Sequence, residues 1–221
     1  FCKLSGPLKV GERATTPLLI PEHDYEAKGV EDPRVVKIDD LYYLTYTAFD
    51  GVSACGALAT STDGLHFNKQ GLIVAQMDYK EFKKLAETNG PLDDKYALYN
   101  NFNPRLWDKD IAFFPRRING KLHFLHRIKP HIQVVKVNEL SELTHDFWQD
   151  YFLHFEDHML LKPKYPHEQS YVGAGCPPIE TEHGWLLIYH GVHETKNGYV
   201  YVGCAALLDL DDPQKEIARL P

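Results

Sequence analysis

Three short stretches of the chain hold residues that could do chemistry. In GVEDPR, Glu31 and Asp32 stand just before Pro33, and Arg34 follows. Proline keeps the residue before it extended. Two adjacent carboxylates beside a guanidinium can bind sugar hydroxyls and hold a proton donor. The same residues also make a turn with an Asp cap and a surface ion pair. In WDKDIAFFPRR, Lys109 lies between Asp108 and Asp110, ahead of an apolar run. An ammonium is a compact point charge with three donors, suited to phosphate; among acids it equally forms a solvated pair. In YVGAGCPP, Gly173 and Gly175 let the backbone approach a ligand closely. No Gly-Lys-Ser/Thr follows and no helical pattern begins, so this is not a nucleotide phosphate loop.

Three more polar residues close apolar runs: His126 and Arg127 in HFLHRIK, and His190 in LLIYHGV. Each histidine alone reads as a satisfied core residue. At equivalent places of a repeat, the three together make a convergent anion site. No metal is expected: His123, His126 and His131 lack the helical spacing of a zinc pair, and no HExxH stretch is present. No GxSxG elbow or Ser-His-Asp arrangement is visible either.

These residues must be positioned by a repeat that runs through the chain. PRVVKIDDLYYLTYTAFD from Pro33, FPRRINGKLHFLHRIK from Phe114 and PPIETEHGWLLIYHGV from Pro177 share one pattern. Each holds a short strand, a turn (Asp39-Asp40, Asn119-Gly120 or His183-Gly184) and a second apolar strand. The turn residues tolerate the positive φ that tight hairpins need. Third strands follow from Val52, His131 and Tyr199, the first and last rich in small residues, as a crowded place between stacked sheets requires. Weaker outer strands lie in FNKQGLIVA, around Met159 and in KEIARL. Self-similar antiparallel units of about 40–50 residues are the signature of a β-propeller. The expected fold is all-β, with blade-like repeats at about 31–75, 110–163 and 172–221. Insertions separate them. Asp78 to Asn89 has charges at helical spacing and predicts a short surface helix, and residues 146–165 form an aromatic-rich segment. Three units do not close a ring. The expectation is a single propeller domain over 1–221, incomplete at both ends, with the opening PLKVGERATTPLLIPE as the last strand of a preceding blade.

Composition narrows the function classes. The 221 residues are 43% hydrophobic, enough for a core, and carry a formal charge of −7. The acidic balance argues against nucleic acid or an anionic membrane as main partner, while leaving room for a local basic pocket. No apolar run approaches the ~20 residues of a membrane span. The 13 Tyr and 12 His suit sugar binding and a β-rich core alike. Cys2, Cys55, Cys176 and Cys204 form no CxxC pair and predict reduced, buried residues of a cytoplasmic protein.

GVEDPRVVKIDDLYYLTYTAFD, KDIAFFPRRINGKLHFLHR, VGAGCPPIETEHGWLLIYHGV and AALLDLDDP, in this order, resemble glycoside hydrolase family 130 from Gly29 to about Pro213. That family holds β-mannoside phosphorylases and some β-mannosidases on five-bladed propellers. The resemblance implies about three central blades plus part of a preceding one. It implies that Asp32 is the general acid, passing its proton through the 3-hydroxyl of the bound mannose. It implies that Lys109 and His190 hold phosphate, and that Glu31, Arg34, Asp110 and Arg127 bind the sugar. The family pattern has Asn where Asp108 stands, which predicts an extra negative charge beside the anion site. Basic and acidic residues expected from the first and fifth blades have no counterpart in this chain.

The two reactions of the family demand different charges. An inverting hydrolase needs a second carboxylate, about 6.5–9.5 Å from the first, to activate water. Phosphate is already an anion and needs cations instead. Lys109 with the Arg and His residues favours inverting phosphorolysis, giving mannose 1-phosphate and a shortened saccharide. Hydrolysis by a β-mannosidase and a non-catalytic sugar-binding propeller are the alternatives. The expected partners are a β-mannoside oligosaccharide and inorganic phosphate as co-substrate, with no cofactor, and homo-oligomers are possible. Linkage and acceptor choice rest on loops and are not readable.

Overall fold

The computed structural model describes residues 1–221. In chain order its strands and helices are β1 (Cys2–Leu4), β2 (Val10–Arg13), β3 (Gly29–Ile38), β4 (Leu41–Phe49), β5 (Ala54–Ser61), β6 (Asn68–Leu72), α1 (Tyr79–Ala86), α2 (Lys95–Asn100), β7 (Lys109–Phe113), β8 (Leu122–Arg127) and β9 (Ile132–Val137). Then follow α3 (His145–Leu153), β10 (Met159–Leu161), β11 (Tyr171–Ala174), β12 (Ile179–Thr181), β13 (Gly184–Thr195), β14 (Gly198–Leu208) and β15 (Glu216–Arg219).

The strands form three antiparallel meanders. Their orders are β3-β4-β5-β6, β7-β8-β9-β10 and β11-β13-β14-β15, with β12 added beside β13. Each sheet has its functional stretch on its first strand, but in the second and third sheets that strand ends before the repeated Pro, whereas the repeat places it after. Strands β1 and β2 make a separate exposed hairpin instead of joining a sheet as a fourth strand. All seven of their residues are exposed, including Leu4 and Val10. The turn residues do what their types allow: Asp39, Asn119 and Gly120 have φ of 52°, 50° and 79°.

The sheets pack face to face through two cores. The larger joins the first two sheets and takes in α1, α2 and α3 through Phe82, Tyr96, Trp148 and Phe152. The other joins the second and third sheets around Phe114, Val134, Trp185 and Tyr189. Helix α1 lies where the charge spacing predicts it, and Asp78 caps it by accepting from Glu81 N at 2.9 Å. It is less a surface helix than expected, because Tyr79 and Phe82 are core residues. Helix α3 has no expectation behind it. Its aromatics face the core at Trp148, Tyr151 and Phe152. Of the four cysteines, Cys55 and Cys204 are buried, Cys176 is half-buried and Cys2 is exposed. No helix is long and apolar enough to cross a membrane.

Small residues in β5 allow the next sheet to come very close. A Cβ on Gly56 would lie 2.3 Å from Ile111 Cγ1. Backbone bonds run through this gap: Gly56 N donates to Asp108 O at 2.7 Å, and Asp108 N to Ala54 O at 3.1 Å. Thr45 Oγ1 donates to Ile111 O at 2.6 Å. Strand β7 is thus fixed against the first sheet by polar bonds as well as by packing. Between the second and third sheets, Val172 N of β11 donates to Pro130 O in the turn after β8 at 3.0 Å.

Candidate active site

The first strands of two sheets share an irregularity. In β3 the pairing with β4 slips between Glu31 and Arg34, and in β7 the pairing with β8 slips between Lys109 and Ala112. The extra residue takes a positive φ in both: 51° at Asp32 and 58° at Asp110. Asp tolerates this region better than most residues, and a bulge re-aims the side chains around it. The two bulges turn Asp32 and Lys109 toward each other, with Lys109 Nζ 3.4 Å from Asp32 Oδ2. Asp32 is half exposed, at 49%, and Lys109 is 22% exposed, so this part of the site opens to solvent.

Beneath them lies Asp110, 4% exposed and ringed by cations. Arg127 Nη1 is 3.0 Å from its Oδ2, Arg34 Nη2 is 3.6 Å from its Oδ1, and His190 Nε2 is 4.0 Å from Oδ2. Burial resists the charge of Asp110, but Arg127 and Arg34 outweigh it and hold the carboxyl below the usual aspartate value. His190 is pushed the other way. Burial, helped by Arg127 and Arg34, lowers it to about 4, so its ring is neutral at pH 7. Arg127 Nη1 stands 3.2 Å from His190 Nε2 and can donate to it.

The third sheet supplies space. Gly173 on β11 pairs with His190 on β13. A Cβ there would lie 2.5 Å from Asp110 Oδ2 and His190 Nε2, and 2.6 Å from Arg127 Nη1. Only glycine leaves room for the three side chains to meet, so the glycine run, unremarkable as sequence, is part of the site.

Arg34 serves mainly as a tie. Its Nε donates to Gly175 O at 2.9 Å, Nη2 to Ala174 O at 2.8 Å and Nη1 to Asp32 O at 3.1 Å. It joins the first sheet to the third and fixes the Asp32 bulge. Glu31 is exposed and folds back over the backbone at Gly29, where a Cβ would meet its Oε1 at 2.8 Å.

Two expectations are corrected. Asp108 puts no extra charge beside Lys109. Alternation along the strand turns its side chain away, where both oxygens accept from His126 Nδ1 at 2.8–2.9 Å. His126 consequently does not join the anion site. Its Nε2 is 2.7 Å from the Tyr151 hydroxyl, which donates to Val134 O at 3.1 Å. Arg127 and His190 do converge. The sequence reading missed Lys129, two residues past Arg127, whose Nζ lies 3.9 Å from the Tyr171 ring centroid.

The site therefore joins a solvent-open carboxyl, an ammonium beside it, and a buried carboxylate that gathers two guanidiniums and a neutral imidazole. Two buried atoms at its base make no hydrogen bond: Asp110 Oδ2, which is held by its ion pair with Arg127, and Arg127 Nε.

Comparisons with known proteins agree on one family. A family profile described as beta-1,4-mannooligosaccharide phosphorylase matches residues 5–221. The chain is 35% identical to a 1,2-beta-oligomannan phosphorylase of Thermoanaerobacter sp., over 94% of this chain and 56% of that protein. It is 33% identical to a beta-1,2-mannobiose phosphorylase of Listeria innocua, over 92% of this chain and 47% of that one. The solved beta-1,2-mannobiose complex of a Listeria innocua phosphorylase superposes with a TM-score of 0.65 at 29% identity, covering 93% of this chain and 48% of that structure. The chain thus spans about half the length of the curated relatives it matches.

Proposed function

Since the chain belongs to glycoside hydrolase family 130, we propose that it carries the acid and the phosphate-holding cations of an inverting β-mannoside phosphorylase, on three blades of a five-bladed propeller. The observation that carries this reading is the 3.4 Å approach of Lys109 Nζ to Asp32 Oδ2 within a cation-rich site. In this reaction an oxygen of phosphate attacks C1 of the mannosyl unit. The bond from C1 to the bridging oxygen breaks on the opposite face, and the Asp32 proton, relayed by the sugar 3-hydroxyl, ends on the departing saccharide. One displacement inverts C1, so a β-mannoside gives α-mannose 1-phosphate.

Each neighbour has a task that its geometry suits. Lys109 leaves Asp32 to hold the entering phosphate, with Arg127 alongside. His190, neutral, offers a donor or an acceptor as its tautomer allows. Asp110 keeps these cations in place, and its Oδ2, ion-paired but without a hydrogen bond, can accept from a sugar hydroxyl. Glu31 stands at the rim, where hydroxyls of the mannosyl unit would lie, and Arg34 lies below it beside Asp110, holding the Asp32 bulge toward the sugar. Asp110 is unsuited to activating water, because its neighbours hold it in a cation cage and depress its basicity. That favours phosphate over water as the attacking group. No cofactor takes part in this scheme, and inorganic phosphate is the co-substrate.

The test is product analysis of the full-length protein with a β-mannobiose, with and without phosphate. Mannose 1-phosphate formed only with phosphate is the expected result. Free mannose formed without phosphate would make it a mannosidase, and binding without turnover would make it a sugar-binding module.

A further inference from the structure

We propose that Lys129 is a second ammonium for the phosphate, completing with Lys109 and Arg127 a cradle matched to a doubly charged anion. This rests on the phosphorolysis reading above. Lys129 follows β8 directly, and its ammonium lies on aromatic rings, 3.9 Å from the Tyr171 centroid and 5.5 Å from that of Tyr99. Ring faces attract cations but accept no ordinary hydrogen bond, so its three donors stay available. The Arg127 guanidinium stands over the same Tyr171 ring at 5.3 Å. One ring thus has two cations within 5.3 Å of its centroid, and the field of Arg127 disfavours the charge of Lys129, a cost that a bound anion offsets.

Charge counting supports this. The ion pairs of the site join Arg34, Lys109 and Arg127 to Asp32 and Asp110. Lys129 is a fourth cation without a carboxylate, and His190 is neutral. With Asp32 protonated as the acid, four positive groups face the carboxylates of Asp110 and Glu31, a surplus of two. A phosphate monoester such as mannose 1-phosphate carries about −1.5 to −2 at neutral pH. Arg127 Nε, on a side chain only 5% exposed, is likewise a donor without an acceptor. Two underused cationic groups on one ring therefore face the same need.

The groups around Lys129 let its role be read by pH. Burial first, then the fields of Arg127 and Lys109, bring its amine down to about 8, against the pull of Asp110. Tyr99 and Tyr171 are raised above the ordinary phenol value and stay neutral near pH 8. His190, at about 4, is silent there as well. A bound anion favours the protonated amine, so the affinity for the phosphate dianion, corrected for its own ionisation, should fall as pH rises through 8 toward 9.

The experiment is calorimetric titration of inorganic phosphate into the full-length protein at pH 7 and pH 9, for wild type, Lys129→Met and Lys129→Arg. Loss of one charge-assisted contact should weaken phosphate at pH 7 by about tenfold to a hundredfold in Lys129→Met. The affinity loss from pH 7 to 9 should shrink in both variants, and Lys129→Arg should regain most of the pH 7 affinity. The KM for phosphate should rise while the KM for mannoside holds. Lys129→Met binding phosphate like the wild type, with the same pH profile, overturns this inference alone. A wild type that neither binds phosphate nor needs it for turnover overturns the phosphorolysis reading and this inference with it.

Discussion

Two neighbouring positions on the second strand of each sheet make opposite use of polar side chains. One set is Tyr46, His126 and Tyr189. Each is buried and bonded to a carboxylate from a loop before the sheet: Glu26 at 2.6 Å, Asp108 at 2.8 Å, and Glu168. In the outer two sheets the carboxylate also accepts from two backbone N–H groups, of Glu22 and His23 or of Lys164 and Tyr165. A cation from the fourth strand, Lys69 or Arg219, completes it. The next residue along, Thr47, Arg127 or His190, points to the other face and sits opposite Glu31, Lys109 or Gly173. There the bonds are incomplete. Asp110 Oδ2 and Arg127 Nε, both without a hydrogen bond, lie on this side. One residue of offset separates anchors that hold the sheets from groups kept free for a ligand, because a saturated network rigidifies and an unsaturated one binds.

The comparison can be broken by substitution, most sharply at Asp32. Asp32→Asn should cut turnover by about 10²–10⁴-fold, the usual range for a general acid, with mannoside binding and Tm unchanged. Kinetics with calorimetry check this, and a mutant that turns over normally would remove Asp32 from the mechanism. On the anchor side, Glu168→Ala strands the Tyr189 hydroxyl and two backbone donors, and leaves Arg219 with Glu216 as its carboxylate partner. It should cost about 3–5 kcal/mol in urea unfolding, as leaving several buried donors without an acceptor does. Tyr46→Phe should cost about 1–3 kcal/mol, with catalytic constants unmoved.

Gly173→Ala tests the boundary between the two sets. The methyl meets Asp110, Arg127 and His190, so the KM for phosphate should rise by about tenfold, with a Tm change smaller than that of Glu168→Ala. Equal effects of these two variants on Tm and KM would dissolve the distinction.

The smallest effect expected is on acid stability. His131, His158 and His190 are all brought down to about 4, each chiefly by burial. A folded value below the ordinary 6.5 means that the unfolded chain binds the proton first. Their contribution is complete above about pH 6.5 and is lost as pH falls toward 4. Tm should therefore drop between pH 7 and 5. His190→Gln should flatten that drop slightly, and a Tm independent of pH in this window would contradict the burial of all three.

Much of this was legible in the residues. Hairpins follow from Asp39-Asp40 and Asn119-Gly120, strands from apolar runs, and the α1 helix from charge spacing after Asp78. Asp32, Lys109, Asp110, Arg127 and His190 could be singled out because they border those runs. The side chosen by Asp108 and His126 was not legible, since a bulge one residue away resets the alternation. Nor was α3, whose aromatics carry no strong helical stripe and fold as a helix because both sheets offer them a core.

The local order of the chain, its strands, its turns and the identity of its charged residues, came from periodicity and backbone preference, which act over a few neighbours. Which charges meet was decided by packing between sheets: Gly56 against Ile111, Arg34 on the carbonyls of Ala174 and Gly175, and Gly173 leaving room for Asp110. Those contacts join residues far apart in sequence, and their energies depend on distances of a few ångströms that no local pattern encodes.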